Sequence, residues 1–139
     1  MKVALKDAGT FILRFDQGED VLEELKKFCV TNQIEAAWFS GHGACDTLTL
    51  AFYNLEAKQY EEKHTIEPLE VASLTGNVGS MNGTPTVHAH GVFANRNYHA
   101  TGGHVRRLIV STSIEIFLTR LHGVLKRVPD LDTKRNVLR

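Results

Sequence analysis

Four of the chain's seven histidines fall between Thr86 and His104, in the run TVHAHGVFANRNYHATGGH. Imidazole is the commonest protein ligand for zinc and its neighbours, so this density points first to metal chemistry. The β-branched and aromatic residues around His88-Ala89-His90 predict a strand over Val87 to Phe93. On a strand, residues i and i+2 project from one face, about 6.6 Å apart. His88 and His90 are therefore placed to converge on one ion, and the flexible Gly102-Gly103 pair allows His104 to swing in as a third ligand. Three neutral imidazoles suit zinc or a similar divalent ion and leave a coordination position for water or a substrate oxygen. The plainer reading is a cluster of histidines that hydrogen-bond to one another and serve only the sheet.

Other residues extend this picture. Arg106 and Arg107 follow His104 directly, and guanidinium groups hold carboxylate or phosphate bidentately, so they are candidates for an anion beside the metal. His42, between Gly41 and Gly43, is a candidate general base or extra ligand, or simply a polar loop residue. His64, His99 and His122 carry no spacing that marks them. The glycines of Gly76 to Gly83 lack the strand-to-helix setting or the lysine of a phosphate-binding loop. Glu115 lies between Ile114 and Ile116 in the strongest β-rich run, facing solvent or an interface between subunits.

The elements that must position these groups read as α+β. Phe11, Leu13 and Phe15 alternate in Thr10 to Phe15, which predicts a strand. Val21, Leu22, Leu25, Phe28 and Cys29 then form one apolar stripe, which predicts an amphipathic helix starting in Asp16–Asp20 and ending near Thr31-Asn32. Beyond it the period becomes two. Strands are expected at Ala36–Ser40, at Thr47–Tyr53 with Leu48, Leu50 and Phe52 inward, at Gln59–Ile66, at Leu69–Leu74, and at Leu108–Leu118, with Val124-Leu125 as a short last one. Gly41-His42-Gly43 is expected to break the first of these, Gly76, Gly79 and Asn82-Gly83 to mark a turn, and residues 129–139 to form a polar tail. One helix with many antiparallel strands makes a single domain over residues 1–139.

Composition limits the function classes. Formal net charge is zero, with 16 basic and 16 acidic side chains, unlike a strongly basic nucleic-acid binder. The charge is unevenly spread. Residues 1–70 hold seven Lys/Arg against thirteen Asp/Glu, and from Arg106 onward there are eight against three. The basic end, with Lys134, Arg135 and Arg139, supplies an alternative in which the protein binds DNA through the phosphate backbone. A third class is a protein-interaction scaffold. No apolar run reaches the roughly 20 residues that span a bilayer. The start lacks the long apolar stretch of a signal peptide, and Cys29 and Cys45 form neither a disulfide framework nor a metal knuckle, so the cytoplasm is the expected location.

Three short motifs in order give a resemblance. Gly41-His42-Gly43-Ala44, then His88-Ala89-His90, then Gly102-Gly103-His104, with Leu74-Thr75-Gly76-Asn77 before the histidines, resemble the plant and prokaryote conserved (PPC) domain family over about residues 5–128. The resemblance implies a mainly antiparallel sheet flanked by helices and assembled as a homotrimer. In plants the domain accompanies AT-hook DNA-binding proteins. This chain has no Arg-Gly-Arg-Pro-like hook segment.

Overall fold

The computed structural model describes all residues, 1–139. Strands β1 (Lys2–Asp7) and β2 (Thr10–Asp16) lead into helix α1 (Val21–Thr31). Four long strands follow: β3 (Ala37–Asn54), β4 (Gln59–Met81), β5 (Thr84–Ala94) and β6 (Ala100–Arg120). A hairpin of β7 (Arg127–Pro129) and β8 (Asn136–Leu138) ends the chain. All ladders are antiparallel, in the order β1-β2-β6-β3-β4-β5. The first residues of β6 also pair with β5, so β6, β3, β4 and β5 close into a ring. Closure covers the His90–Ala94 part of the edge that β5 would otherwise present.

The helix forms where its stripe and cap require. Asp20 is extended (φ −85°, ψ 112°) and its carboxylate accepts from the backbone N–H of Leu22 and Glu23. Such a cap is worth about 1 kcal/mol. Val21, Leu25, Phe28 and Cys29 are buried, and α1 packs on β5 and β6. Phe28 meets Phe11 of β2 edge to face, with ring centroids 5.2 Å apart at 78°. Leu13, Phe15, Phe39, Leu108, Ile114, Ile116 and Leu118 fill the space between helix and sheet with no exposure. Each such side chain gains roughly 1.5–3 kcal/mol from leaving water. Both cysteine thiols lie in this interior, where burial raises each to about 12 and keeps them inert.

Several local expectations are corrected. Gly41-His42-Gly43 does not break a strand; β3 runs through it, with register shifts at Gly41/Gly43 and Cys45/Thr47. The glycines are there because the neighbouring strand comes close. A Cβ on Gly43, at φ +144°, would sit 2.3 Å from the carbonyl oxygen of Ser113. Gln59–Ile66 and Leu69–Leu74 are one strand, β4, which also takes in Gly76 and Gly79. The turn is confined to Asn82-Gly83, with φ of +52° and +77°, the left-handed pair of a tight hairpin. Phe52 is 72% exposed rather than inward, because it lies near the β3–β4 turn opposite Glu61, past the sheet covered by the helix. Val124-Leu125 makes no strand; Leu125 accepts one hydrogen bond from the backbone N–H of Ser80 at 2.7 Å. Residues 129–139 are not a free tail, since β8 lies among them and pairs back on β7.

Candidate metal centre

Strand register delivers the three histidines to one place. His90 lies directly opposite His104 across the β5–β6 ladder, and His88 is two residues along the same face of β5. Between them Ala89 points into the core at 1% exposure, so the imidazoles stand on the face away from the helix. Ring centroids are 5.2 Å apart for His88–His90, 5.0 Å for His88–His104 and 5.3 Å for His90–His104. One ring nitrogen from each lies within 4.8 Å of the others. Zinc–nitrogen bonds of roughly 2.0–2.1 Å would bring tetrahedral ligands to about 3.4 Å, a closure that small side-chain rotations accomplish.

Glycines make the convergence possible, though not by the swing expected of Gly102-Gly103. Both belong to the β6 ladder, opposite Val92 and Gly91. A Cβ on Gly102 would fall 2.7 Å from the carbonyl oxygen of Gly91, so its lack of a side chain lets β6 approach β5. Gly76 does the same on β4. A Cβ there would lie 2.3 Å from the carbonyl oxygen of His88 and 2.4 Å from Cζ of Phe39.

The electrostatics keep two of the rings neutral. Burial lowers His88 to about 4, with the charge of Arg127 adding to it. Burial likewise lowers His104 to about 4, helped by His88 and Arg106. Neutral imidazole is the form that binds metal. Nδ1 of His104 is buried without a hydrogen-bond partner, which a cluster built only to satisfy itself would not leave. These observations fit the donor set of a divalent metal.

A stability signature follows. In the unfolded chain both imidazoles titrate near the usual value of about 6.5. Between that value and about 4 the unfolded chain binds more protons than the folded one. The contribution is thus complete above pH 6.5 and drains away as pH falls towards 4. In chelator-treated protein, urea midpoints are expected to drop across this window, and less steeply in a His88→Gln/His104→Gln variant.

Tyr60 and the C-terminal hairpin complete the surroundings, and neither was marked by spacing or motif. Tyr60 of β4 stacks on His104, with centroids 5.5 Å apart at 30°. The Arg106 guanidinium lies 4.4 Å from the Tyr60 ring and 3.7 Å from Glu62. Arg106 is the extra residue where the β3–β6 register shifts between Thr49/Arg107 and Leu50/Val105. Such a bulge re-aims a side chain. Arg107 parts from it and meets the helix cap Asp20 at 3.6 Å, so of the two arginines only Arg106 lines the cleft beside the histidines. Arg127, 8% exposed, donates to Oδ1 of Asn77 at 2.7 Å and to the carbonyl of Asn136 at 3.2 Å, which fastens the hairpin over β4. Tyr53 adds a second tie by donating its hydroxyl hydrogen to the carbonyl of Thr133.

Tyr60, His88, His104, Arg106, Arg127, Lys134 and Arg135 line one cleft of about 160 Å³. Lys134 and Arg135, singled out as a basic DNA-binding end, thus face the histidine cluster, and Arg139 is not among the lining residues. His42 stands apart from the cluster. It lies 3.7 Å from Glu115 and stacks at 6.1 Å on Phe117. His64 pairs with Thr49 Oγ1 at 3.0 Å, and the backbone of His99 closes the Asn95 turn.

Among solved structures, a metal-containing protein from Archaeoglobus fulgidus is 30% identical, with 100% of this chain and 99% of that chain covered and a TM-score of 0.89. A plant- and prokaryote-conserved protein from Pyrococcus horikoshii is also 30% identical, covering 98% and 96% with a TM-score of 0.88. A candidate DNA-binding protein from Bacteroides thetaiotaomicron is 27% identical, covering 97% and 94% with a TM-score of 0.94. No curated protein sequence matches the chain. The model of the Plants and Prokaryotes Conserved domain matches residues 4–122, a span that holds the histidine strand, its partner and the ring they close; the chain belongs to that family.

Proposed function

We propose that this is a metal-binding protein in which His88, His90 and His104 hold one divalent ion, zinc by ligand type, with a position left for water or a small ligand. The reading is carried by one observation: three imidazoles in mutual reach, one with a buried nitrogen that nothing in the fold satisfies. The metal-containing relative from Archaeoglobus fulgidus adds support. Bound zinc supplies an acidified water or a polarised substrate oxygen. The chain's own residues do the rest. Tyr60 holds the His104 ring by stacking, and burial keeps His88 and His104 free of protons. Titrating zinc into chelator-treated protein is expected to end at one ion per chain; absence of a stoichiometric end point would remove this reading.

The assembly and setting belong to the same proposal. A homotrimer agrees with the large apolar side chains left at the surface, among them Phe52 (72% exposed) and Ile66 (84%), and the reading takes the whole chain as one domain in the cytoplasm. No helix is long and apolar enough to cross a membrane. DNA binding is the second reading, favoured by the description of the Bacteroides relative. It is the weaker one, because two of the three cations it relies on, Lys134 and Arg135, line the histidine cleft.

A further inference from the structure

The cleft beside the histidines carries far more positive charge than its walls balance. Arg106, Arg127, Lys134 and Arg135 line it, and no carboxylate does. Only Arg106 meets an acid, Glu62, at 3.7 Å. A divalent ion on the histidines would raise the local charge further. Like charges gathered in a partly enclosed space repel and cost stability unless an anion joins them. Arg127 is held there by two hydrogen bonds, 8% exposed, with its Nε buried and unpartnered. Burying a cation at such a place is costly, and a ligand of opposite charge offsets that cost.

Three of these cations come from the C-terminal part of the sequence. The family match ends at residue 122, whereas Arg127, Lys134 and Arg135 all follow it. They belong to the β7–β8 hairpin and the loop within it, fastened through Arg127 to Asn77 and through Tyr53 to Thr133. The Arg135 guanidinium rests 5.2 Å from the Tyr53 ring, which steadies it over the opening. A cleft of about 160 Å³ is smaller than the roughly 300–1,000 Å³ that receive drug-sized molecules, so the occupant is small.

We propose that this cleft binds a small carboxylate or phosphate dianion, one end directed at the histidine-bound ion and the other held by Lys134 and Arg135 of the C-terminal hairpin. The part that involves the ion rests on the three-histidine reading; the cationic part does not. Guanidinium and ammonium groups grip such oxygens by charge-assisted hydrogen bonds, so loss of both cations weakens binding at least tenfold.

Calorimetry with inorganic phosphate and, separately, malonate tests this on zinc-loaded and on chelator-treated protein. The expected result is binding of at least one anion to the wild type, weakened tenfold or more in Lys134→Gln/Arg135→Gln, with zinc content unchanged and the anion-free melting temperature not lowered. Arg139→Gln removes a cation from the same segment but not from the cleft, and is expected to bind as the wild type does. Failure of both anions to bind at millimolar concentration overturns the proposal, as does equal binding by the double variant or equal loss in Arg139→Gln. If zinc does not bind but the chelator-treated protein loses anion affinity in the double variant alone, the metal reading falls and the cationic site stands.

Discussion

Replacing His104 by alanine is expected to weaken zinc binding by more than about 100-fold, taking the protein from one ion per chain to almost none at micromolar zinc. Loss of a residue that merely orients a ligand costs 10–100-fold in metal affinity as a rough range, and loss of a ligand costs more. His104 is the most informative of the three to remove. It stands opposite His90 in the ladder, lies 5.0 Å from His88 between ring centroids, and carries the buried unpartnered nitrogen. Stability is expected to move the other way in the absence of metal. The variant deletes a half-buried ring that is costly to protonate, so the metal-free protein should resist acid slightly better than the wild type. Competition against a chromophoric chelator measures the first effect and urea unfolding near pH 5 the second. Wild-type zinc affinity in His104→Ala would mean that the ion, if bound, sits elsewhere.

The second large effect is expected at Gly76. A methyl group there would meet the backbone carbonyl of His88 at 2.3 Å and the Phe39 ring at 2.4 Å, and neither can withdraw freely. Phe39 is fully buried, and the His88 carbonyl belongs to the β4–β5 ladder. Gly76→Ala should therefore cost about 3 kcal/mol or more, at the upper end of what overpacking a core does. Because the clash pushes on His88 itself, metal affinity should fall together with stability. Gly103→Ala is the matched control. A Cβ there comes no nearer than 3.5 Å to the carbonyl oxygen of Ala51, so it should change stability by less than about 1 kcal/mol. Thermal melts of the two variants, with and without zinc, compare them directly. Equal melting temperatures would show that the strands have slack the packing does not suggest.

These two residues also show how far the sequence can be read. The helix was legible because Val21, Leu25, Phe28 and Cys29 repeat at its period and Asp20 has the chemistry of a cap. The pairing of His88 with His90 was legible because a strand's period is two. His104 was legible as a third candidate, but for the wrong physical reason. The neighbouring glycines suggested flexibility, whereas the ladder fixes the ring and the glycine matters because β5 passes close to Gly102. The bulge that separates Arg106 from Arg107 has no local signature, since it depends on how β6 registers with β3. Tyr60, and the meeting of the hairpin cations with the histidines, were illegible for a similar reason. Nothing within a window around Lys134 reveals that Asn77, 50 residues from Arg127 in sequence, anchors that segment against the histidines. Periodicity specifies which face a side chain takes, and distant pairing specifies what it meets there.

The most direct measurement is diffraction from zinc-soaked crystals collected on both sides of the zinc absorption edge. The account predicts one anomalous peak per chain, at about 2.0–2.1 Å from a ring nitrogen of each of His88, His90 and His104. It is contradicted if no peak appears there, or if the three rings are found bonded to one another and to solvent with the ion bound at some other surface.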